Sequence, residues 1–250
     1  MLLSGKRILI TGANGGIGYA ISDLLLKHNA KVVLFYHKNR QKIDSIINNH
    51  PDKVQDIEIY QVDLTHEKEI EYVLNSIVNI GPIDIFIHLP TYPTQHKDIM
   101  KMEWLDFQRH IELQSKAFFQ ITKFLVPFMK KQKIGKIISI LTSYVIGNPP
   151  NGVSDYVVSK YSLLGLSKCM ATELGKFGIR VNSISPSIVN TSLIDKLPTK
   201  FKEITSFQIP LESRFAEPIE VAGVALFLCT EYSNYITGEN ILVSGGHSMH

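Results

Sequence analysis

Seven short, mostly apolar runs recur along the chain, and a stretch of helical period separates each from the next. The runs are RILIT (7–11), KVVLFY (31–36), IEIYQV (57–62), IDIFIHL (83–89), KIISIL (136–141), IRVNSIS (179–185) and NILVS (240–244). Runs rich in Ile and Val with little polar alternation need cover on both faces, the condition of a parallel strand between two layers of helices. The stretches at 17–29, 40–49, 66–79, 103–131, 153–176 and 218–230 repeat their apolar residues with a helical period. Strand–helix–strand repetition builds right-handed crossovers. The pattern therefore predicts an α/β fold with a doubly wound parallel sheet of about seven strands and helices on both faces.

A chain of 250 residues suits one such domain, so residues 1–250 are read as a single unit. The net charge of +3 is too small a basic excess to argue for nucleic acid. No apolar stretch approaches the length of a membrane span, and the N-terminal apolar run is too short for a signal peptide. Cys169 and Cys229 lie far apart in helical stretches with no second cysteine nearby. Two buried thiols in a reducing, cytoplasmic setting are expected. His247 and His250 read as a polar tail, and no metal site is expected.

In sheets of this kind ligands bind beyond the carboxyl ends of the strands, so chemistry should follow each run. The first run leads into TGANGGIGYA (11–20). Glycines at 12, 16 and 18 in a strand-to-helix turn permit a tight turn, close approach of backbone N–H groups to a pyrophosphate, and close helix packing. The helix N-terminus adds a favourable dipole. That context identifies a Rossmann-type dinucleotide site, with Gly12, Asn14, Gly15, Gly16, Ile17 and Gly18 as its cradle. The second run ends FYHKNR, with His37, Lys38 and Arg40 where a carboxylate would select the ribose diol of NAD. Cations there favour a 2′-phosphate, so NADPH is the expected cofactor and NADH the alternative. Asp63 and Leu64, after the third run, are placed for the adenine, and Leu89 follows the fourth. Further on, SDYVVSK sets Tyr156 and Lys160 one helical turn apart on a shared face.

TGANGGIG, Asp63, YVVSK and RVNSISPSIVNTSL, in this order and spacing, together resemble the short-chain dehydrogenase/reductase family, and within it the 3-oxoacyl-carrier-protein reductases. The resemblance runs to YITGENILVSGG (235–246) and so covers essentially the whole chain. It implies reduction of a ketone, 3-oxoacyl or otherwise apolar, to a secondary alcohol, or the reverse. Tyr156 would be the general acid. Lys160 would bind the nicotinamide ribose and lower the phenol's pKa, which the physics of a nearby cation supports. A hydroxyl would polarise the substrate carbonyl. The family's spacing of thirteen residues before the tyrosine selects Ser143, whereas counting from the start of the fifth strand selects Thr142; Ser143 is the expected residue. Pro186, Ile188 and Thr191 resemble the loop at the nicotinamide carboxamide, with Asn182 in support. The four-residue spacing of Tyr156 and Lys160 implies C=O rather than C=C chemistry.

The family pattern is broken in three places. HLPT (88–91) stands where NNAG is usual, and Pro90 removes an N–H donor. Gln114, with Ser115 beside it, stands where an asparagine holds a water in a proton relay. Ser187 replaces the glycine after the proline. These changes support a competing reading, a cofactor-binding scaffold with little turnover.

A long connection at about 191–213 reads as a substrate lid, with Leu193, Ile194, Leu197, Phe201, Ile204 and Phe207 spaced for an apolar face. Lys130, Lys131, Lys133 and Lys176 read either as a solvated basic face or as a dock for an acidic acyl carrier protein. The resemblance also implies a homotetramer, or a homodimer, through the apolar faces at 118–128 and 163–170.

Overall fold

In the computed structural model, which describes residues 2–195 and 197–249, all seven runs form strands of one parallel sheet. They are β1 (Arg7–Thr11), β2 (Lys31–Tyr36), β3 (Ile57–Gln61), β4 (Ile85–His88), β5 (Gly135–Ile140), β6 (Ile179–Pro186) and β7 (Asn240–Val243). The order across the sheet is β3-β2-β1-β4-β5-β6-β7. The winding direction reverses between β1 and β4, which opens a crevice beyond their carboxyl ends.

Successive strand residues point to opposite faces, and the sequence supplies apolar side chains to both. Ile8, Ile10, Val32, Leu34, Ile85 and Ile87 pack on one face with Ile21 and Leu25 of α1 (Gly16–Lys27). Ile43 of α2 (Gln41–Asn49) and the apolar face of a C-terminal helix complete that layer. Leu9, Val33, Phe35, Phe86 and Ile137 pack on the other face, under Leu74 and Ile77 of α3 (Glu67–Ile80).

The predicted helix at 103–131 is two helices, α4 (Trp104–Ile111) and α5 (Ala117–Gln132), joined by one π-helical turn at Glu112–Lys116. Phe118, Ile121 and Leu125 of α5 and Leu163 of α6 (Ser154–Leu174) are buried in the second core layer. The apolar side chains of 118–128 left at the surface are Phe119 and Phe128. α7 (Thr199–Phe207) lies in the predicted lid, and α8 (Pro218–Cys229) lays Val221 and Ala225 on the first layer. Of the two thiols expected inside, Cys229 is buried but Cys169 is exposed.

One buried cation fastens the sheet's outer half. Arg7 on β1 donates to both carboxylate oxygens of Glu58 on β3, at 2.8 and 2.6 Å. It also donates to Ile77 O at 2.9 Å and to Gly81 O, closing the end of α3. Four donors of one planar group are thereby satisfied, as burial of a guanidinium demands. Among the described residues no helix is long and apolar enough to cross a membrane, and no metal-ligating cluster is present.

Candidate active site

The carboxyl ends of the central strands open into a cleft of about 720 Å³. Its floor is the turn between β1 and α1. Gly12 has φ +73°, and a Cβ there would lie 2.9 Å from the backbone nitrogen of Pro90. A Cβ on Gly18 would overlap the carbonyl oxygen of Gly12. Both glycines are required by this packing rather than merely tolerated. α1 begins with no side-chain cap and no acidic residue in its first turn, so its free N–H groups face the cleft. Asn14 accepts from the backbone nitrogen of Lys42 at 3.1 Å, which ties the turn to α2. Such a cradle fits the pyrophosphate of a dinucleotide. Asn14, Gly15, Gly16, Ile17, Leu89, Pro186, Ile188 and Thr191 all line the same cleft.

At the sheet's β2–β3 side, His37, Lys38, Asp63 and Leu64 line the wall. Arg40 does not. Its guanidinium turns outward to Asp44 at 2.8 Å, an i, i+4 pair on the surface of α2. The expected cationic set is therefore His37 and Lys38 without Arg40. Asp63 is committed as well. Burial works to raise its pKa, but hydrogen bonds from Thr65 and the nearby His37 and His66 hold the carboxylate below its ordinary value.

At the β5–β6 side, Thr142, Tyr156 and Lys160 line one wall. Ser143 does not line it. A short 3-10 turn, Ser143–Val145, turns that side chain into the protein, where its hydroxyl is buried without a partner. The Thr142 hydroxyl caps this turn, accepting from Tyr144 N at 3.4 Å, and Thr142 lines the cleft beside Tyr156. The structure thus places Thr142, not Ser143, at the phenol.

Lys160 is 2% exposed and donates to Ile140 O at 2.7 Å. Burial brings its pKa down to about 7. Desolvation by the cleft walls pushes the Tyr156 phenol up, against the smaller pull of Thr142. The lowering expected from Lys160 does not offset this; its Nζ is bonded to Ile140 O and stands 5.6 Å from the phenol's ring centre. Desolvation is the larger effect.

Gln114 lies in the π-helical turn, and its side chain does not line the cleft. Its amide nitrogen donates to Thr91 Oγ1 at 3.3 Å and sits 3.3 Å from His110 Nδ1. Its backbone carbonyl oxygen accepts from His88 Nε2 at 2.8 Å. His88 in turn accepts from Thr11 at Nδ1, and burial lowers its pKa to about 3, so it is neutral. Asn182 is also displaced from its expected role. It bridges Ile236 O and Glu239 N, joining β6 to the segment before β7.

Sequence reasoning missed the loop after β4. Tyr92, Pro93, Thr94 and His96 form a wall of the cleft, and Arg109 stands over the Tyr92 ring at 5.2 Å. The break at HLPT (88–91) was its signal. Of the lid residues, Leu193, Ile194, Leu197 and Phe201 line the cleft, whereas Ile204 and Phe207 face outward, 54% and 81% exposed. Ser187 bonds to His247 at 3.0 Å, which draws the C-terminal tail to the cleft; His250 lies outside the described residues.

Residues 12–248 match the family model described as Enoyl-(Acyl carrier protein) reductase. The chain is 34% identical to the 3-oxoacyl-(acyl-carrier-protein) reductase FabG of Thermotoga maritima, over 98% of this chain and 99% of that one. It is 30% identical to the reductase of the same name from Staphylococcus aureus, over 98% of each. A short-chain type dehydrogenase/reductase from Mycobacterium ulcerans shares the fold, with a TM-score of 0.90 at 22% identity over 99% of this chain and 91% of that one.

Proposed function

The chain belongs to the short-chain dehydrogenase/reductase family of oxidoreductases, and on that premise we propose that it is an NADPH-dependent reductase of 3-oxoacyl thioesters or similarly apolar ketones. The observation that carries this reading is the convergence of Thr142, Tyr156 and Lys160 on one wall of a cleft whose floor is the glycine turn. When bound, the nicotinamide dinucleotide supplies the hydride.

The side chains supply the rest. A phenol held protonated by desolvation brings its proton to the reaction, the state required of a general acid in reduction. Thr142, on the same cleft wall as that phenol, is the second hydroxyl at the substrate's carbonyl oxygen. Together they stabilise the charge that develops there. Lys160, held by Ile140 O in the same cleft wall, replaces the proton of Tyr156 afterwards. The reverse oxidation uses the same groups in the opposite sense.

The family model's description names enoyl chemistry, but the four-residue spacing of Tyr156 and Lys160 and the 3-oxoacyl reductases among the relatives favour the carbonyl. Lys38 and His37 at the β2–β3 wall favour NADPH. Leu193, Ile194, Leu197 and Phe201 favour an apolar acyl portion beneath a lid at 191–213. Exposed Lys130 and Lys176 stand 4.0 and 5.2 Å from the Phe177 ring, a basic patch suited to an acidic acyl carrier protein. Exposed Phe119, Phe128, Val158 and Tyr161 on α5 and α6 suit assembly as a homotetramer. The scaffold reading has no comparable support, since the phenol and the ammonium both reach the cleft.

The test is NADPH consumption over a panel of ketones and 3-oxoacyl thioesters, beginning with acetoacetyl coenzyme A. Tyr156→Phe is expected to lose at least about 10²-fold in kcat. Turnover that survives this substitution unchanged sinks the mechanism. Tighter binding of NADH than NADPH by fluorescence titration sinks the cofactor assignment.

A further inference from the structure

A cluster outside the reacting groups connects to Tyr156 from behind. His110 on α4 is 4% exposed, and its ring meets the Tyr156 ring edge-on at 6.1 Å between centres. Its Nε2 faces Asp155 Oδ2 at 3.5 Å. Asp155 is itself buried, and its other oxygen accepts from the backbone nitrogen of Tyr156 at 2.8 Å. On the far side of the imidazole, Nδ1 meets the amide nitrogen of Gln114, which also donates to Thr91 Oγ1 in the cleft wall.

The donors assign the tautomer. A carboxylate only accepts, so Nε2 carries the proton; an amide nitrogen only donates, so Nδ1 offers a lone pair. Gln114 cannot turn over freely to suit a different partner. The Thr91 hydroxyl already donates to Tyr92 O at 3.1 Å, so it takes a donor, not an acceptor, from Gln114.

We infer that His110 is a positioning residue for Tyr156, a neutral imidazole that ties the start of the tyrosine's helix to the cleft wall at Thr91 through Asp155 on one side and Gln114 on the other. The inference rests on the proposed role of Tyr156 as proton donor. It goes beyond that role because neither Tyr156 nor its lysine requires a histidine at this place.

The arrangement works in one protonation state only. A proton at Nδ1 sets two donors, imidazolium and amide, against each other. Turning the amide to offer its oxygen breaks the bond to Thr91. Every charged or titratable group against His110 bears on when this happens. Burial, helped by Arg109 of α4 and Lys160 of α6, holds its pKa below the ordinary imidazole value, against the pull of Asp155 on α6 and Asp106 on α4. Tyr92 of the loop and Tyr156 contribute ring edges and no charge. The neutral form therefore prevails at neutral pH, and activity falls as acid protonates the ring.

The experiment compares wild type, His110→Ala, His110→Gln and Tyr156→Phe, with NADPH and acetoacetyl coenzyme A or whichever panel member turns over fastest. Melting temperatures establish that each variant is folded. His110→Ala is expected to lose on the order of ten- to a hundredfold in kcat while the Kd for NADPH is kept, the signature of a misplaced acid. His110→Gln can still donate to Asp155 and accept from Gln114, so it should recover much of that loss. It cannot take up a proton, so the acid limb of its kcat profile should disappear. Equal kcat in His110→Ala and wild type overturns the inference. An acid limb that persists in His110→Gln, or is missing from wild type, does so too. If Tyr156→Phe remains active, or no panel member is reduced, the parent reading falls and takes this one with it. If Tyr156→Phe is inactive and the His110 variants behave as wild type, only this inference falls.

Discussion

At the scale of single residues, the decisive distinction is between two adjacent hydroxyls. Spacing back from Tyr156 favours Ser143, and counting forward along β5 favours Thr142. The sequence contains both counts and the first led to Ser143, because the one-residue difference is absorbed in the irregular segment between the strand and α6. The 3-10 turn at Ser143–Val145 buries Ser143 and leaves Thr142 at the cleft, which favours Thr142 for the role. Thr142→Ala should therefore lower kcat by about 10²-fold, as loss of one preorganised donor does. Ser143→Ala should leave kcat alone. Because the Ser143 hydroxyl is buried and unpartnered, its removal should leave the melting temperature equal or higher. Parallel kinetics and thermal melts of the two variants check this, and the reverse ranking would return the role to Ser143. Arg40 makes the same point more simply. Its charge and position in the chain were legible, but the direction of its side chain depended on Asp44 one turn later.

Secondary structure elements were largely readable, and their interruptions were not. β1 and β2 have the boundaries their apolar runs indicate, whereas β4 closes at His88, two residues short of Pro90. The π-helical turn at Glu112–Lys116 left no periodic trace, because one extra residue in a long amphipathic stretch barely disturbs its pattern. That turn nevertheless frees the Gln114 carbonyl for His88 and sends the Gln114 amide toward His110 rather than the cleft. The glycine turn was readable because its geometry admits no side chain. Gly18→Ala places a methyl group against the Gly12 carbonyl, backbone against backbone, and should cost about 1–3 kcal/mol of stability. Urea unfolding checks this, and an unchanged midpoint would mean that the turn can relax.

At the scale of the whole molecule, the fold carries a buried cation at its site. The unfolded chain keeps a proton on Lys160 up to about pH 10.5, while the folded chain releases it near 7. Between those values unfolding takes up a proton, so this group makes stability rise with pH, and its burial is most costly below about 7. Lys160→Met should therefore melt above wild type at pH 6, and the gap should narrow toward pH 9.5, with activity lost throughout. Melting curves of both proteins across that range check it, and a gap independent of pH would mean that the ammonium is not desolvated. The fold class was legible in the sequence alone: seven apolar runs alternating with amphipathic helices require a covered parallel sheet, and the glycine turn marks its nucleotide end, whereas the strand order β3-β2-β1-β4-β5-β6-β7 came from the tertiary structure. Tertiary structure decided which neighbouring side chains face that cleft, Thr142 over Ser143 and Lys38 over Arg40. It also decided how burial sets the phenol and the ammonium against their ordinary pKa values. Periodicity encodes which face of an element is covered, whereas the aim of one polar side chain and its solvation depend on partners from distant elements, which no local pattern records.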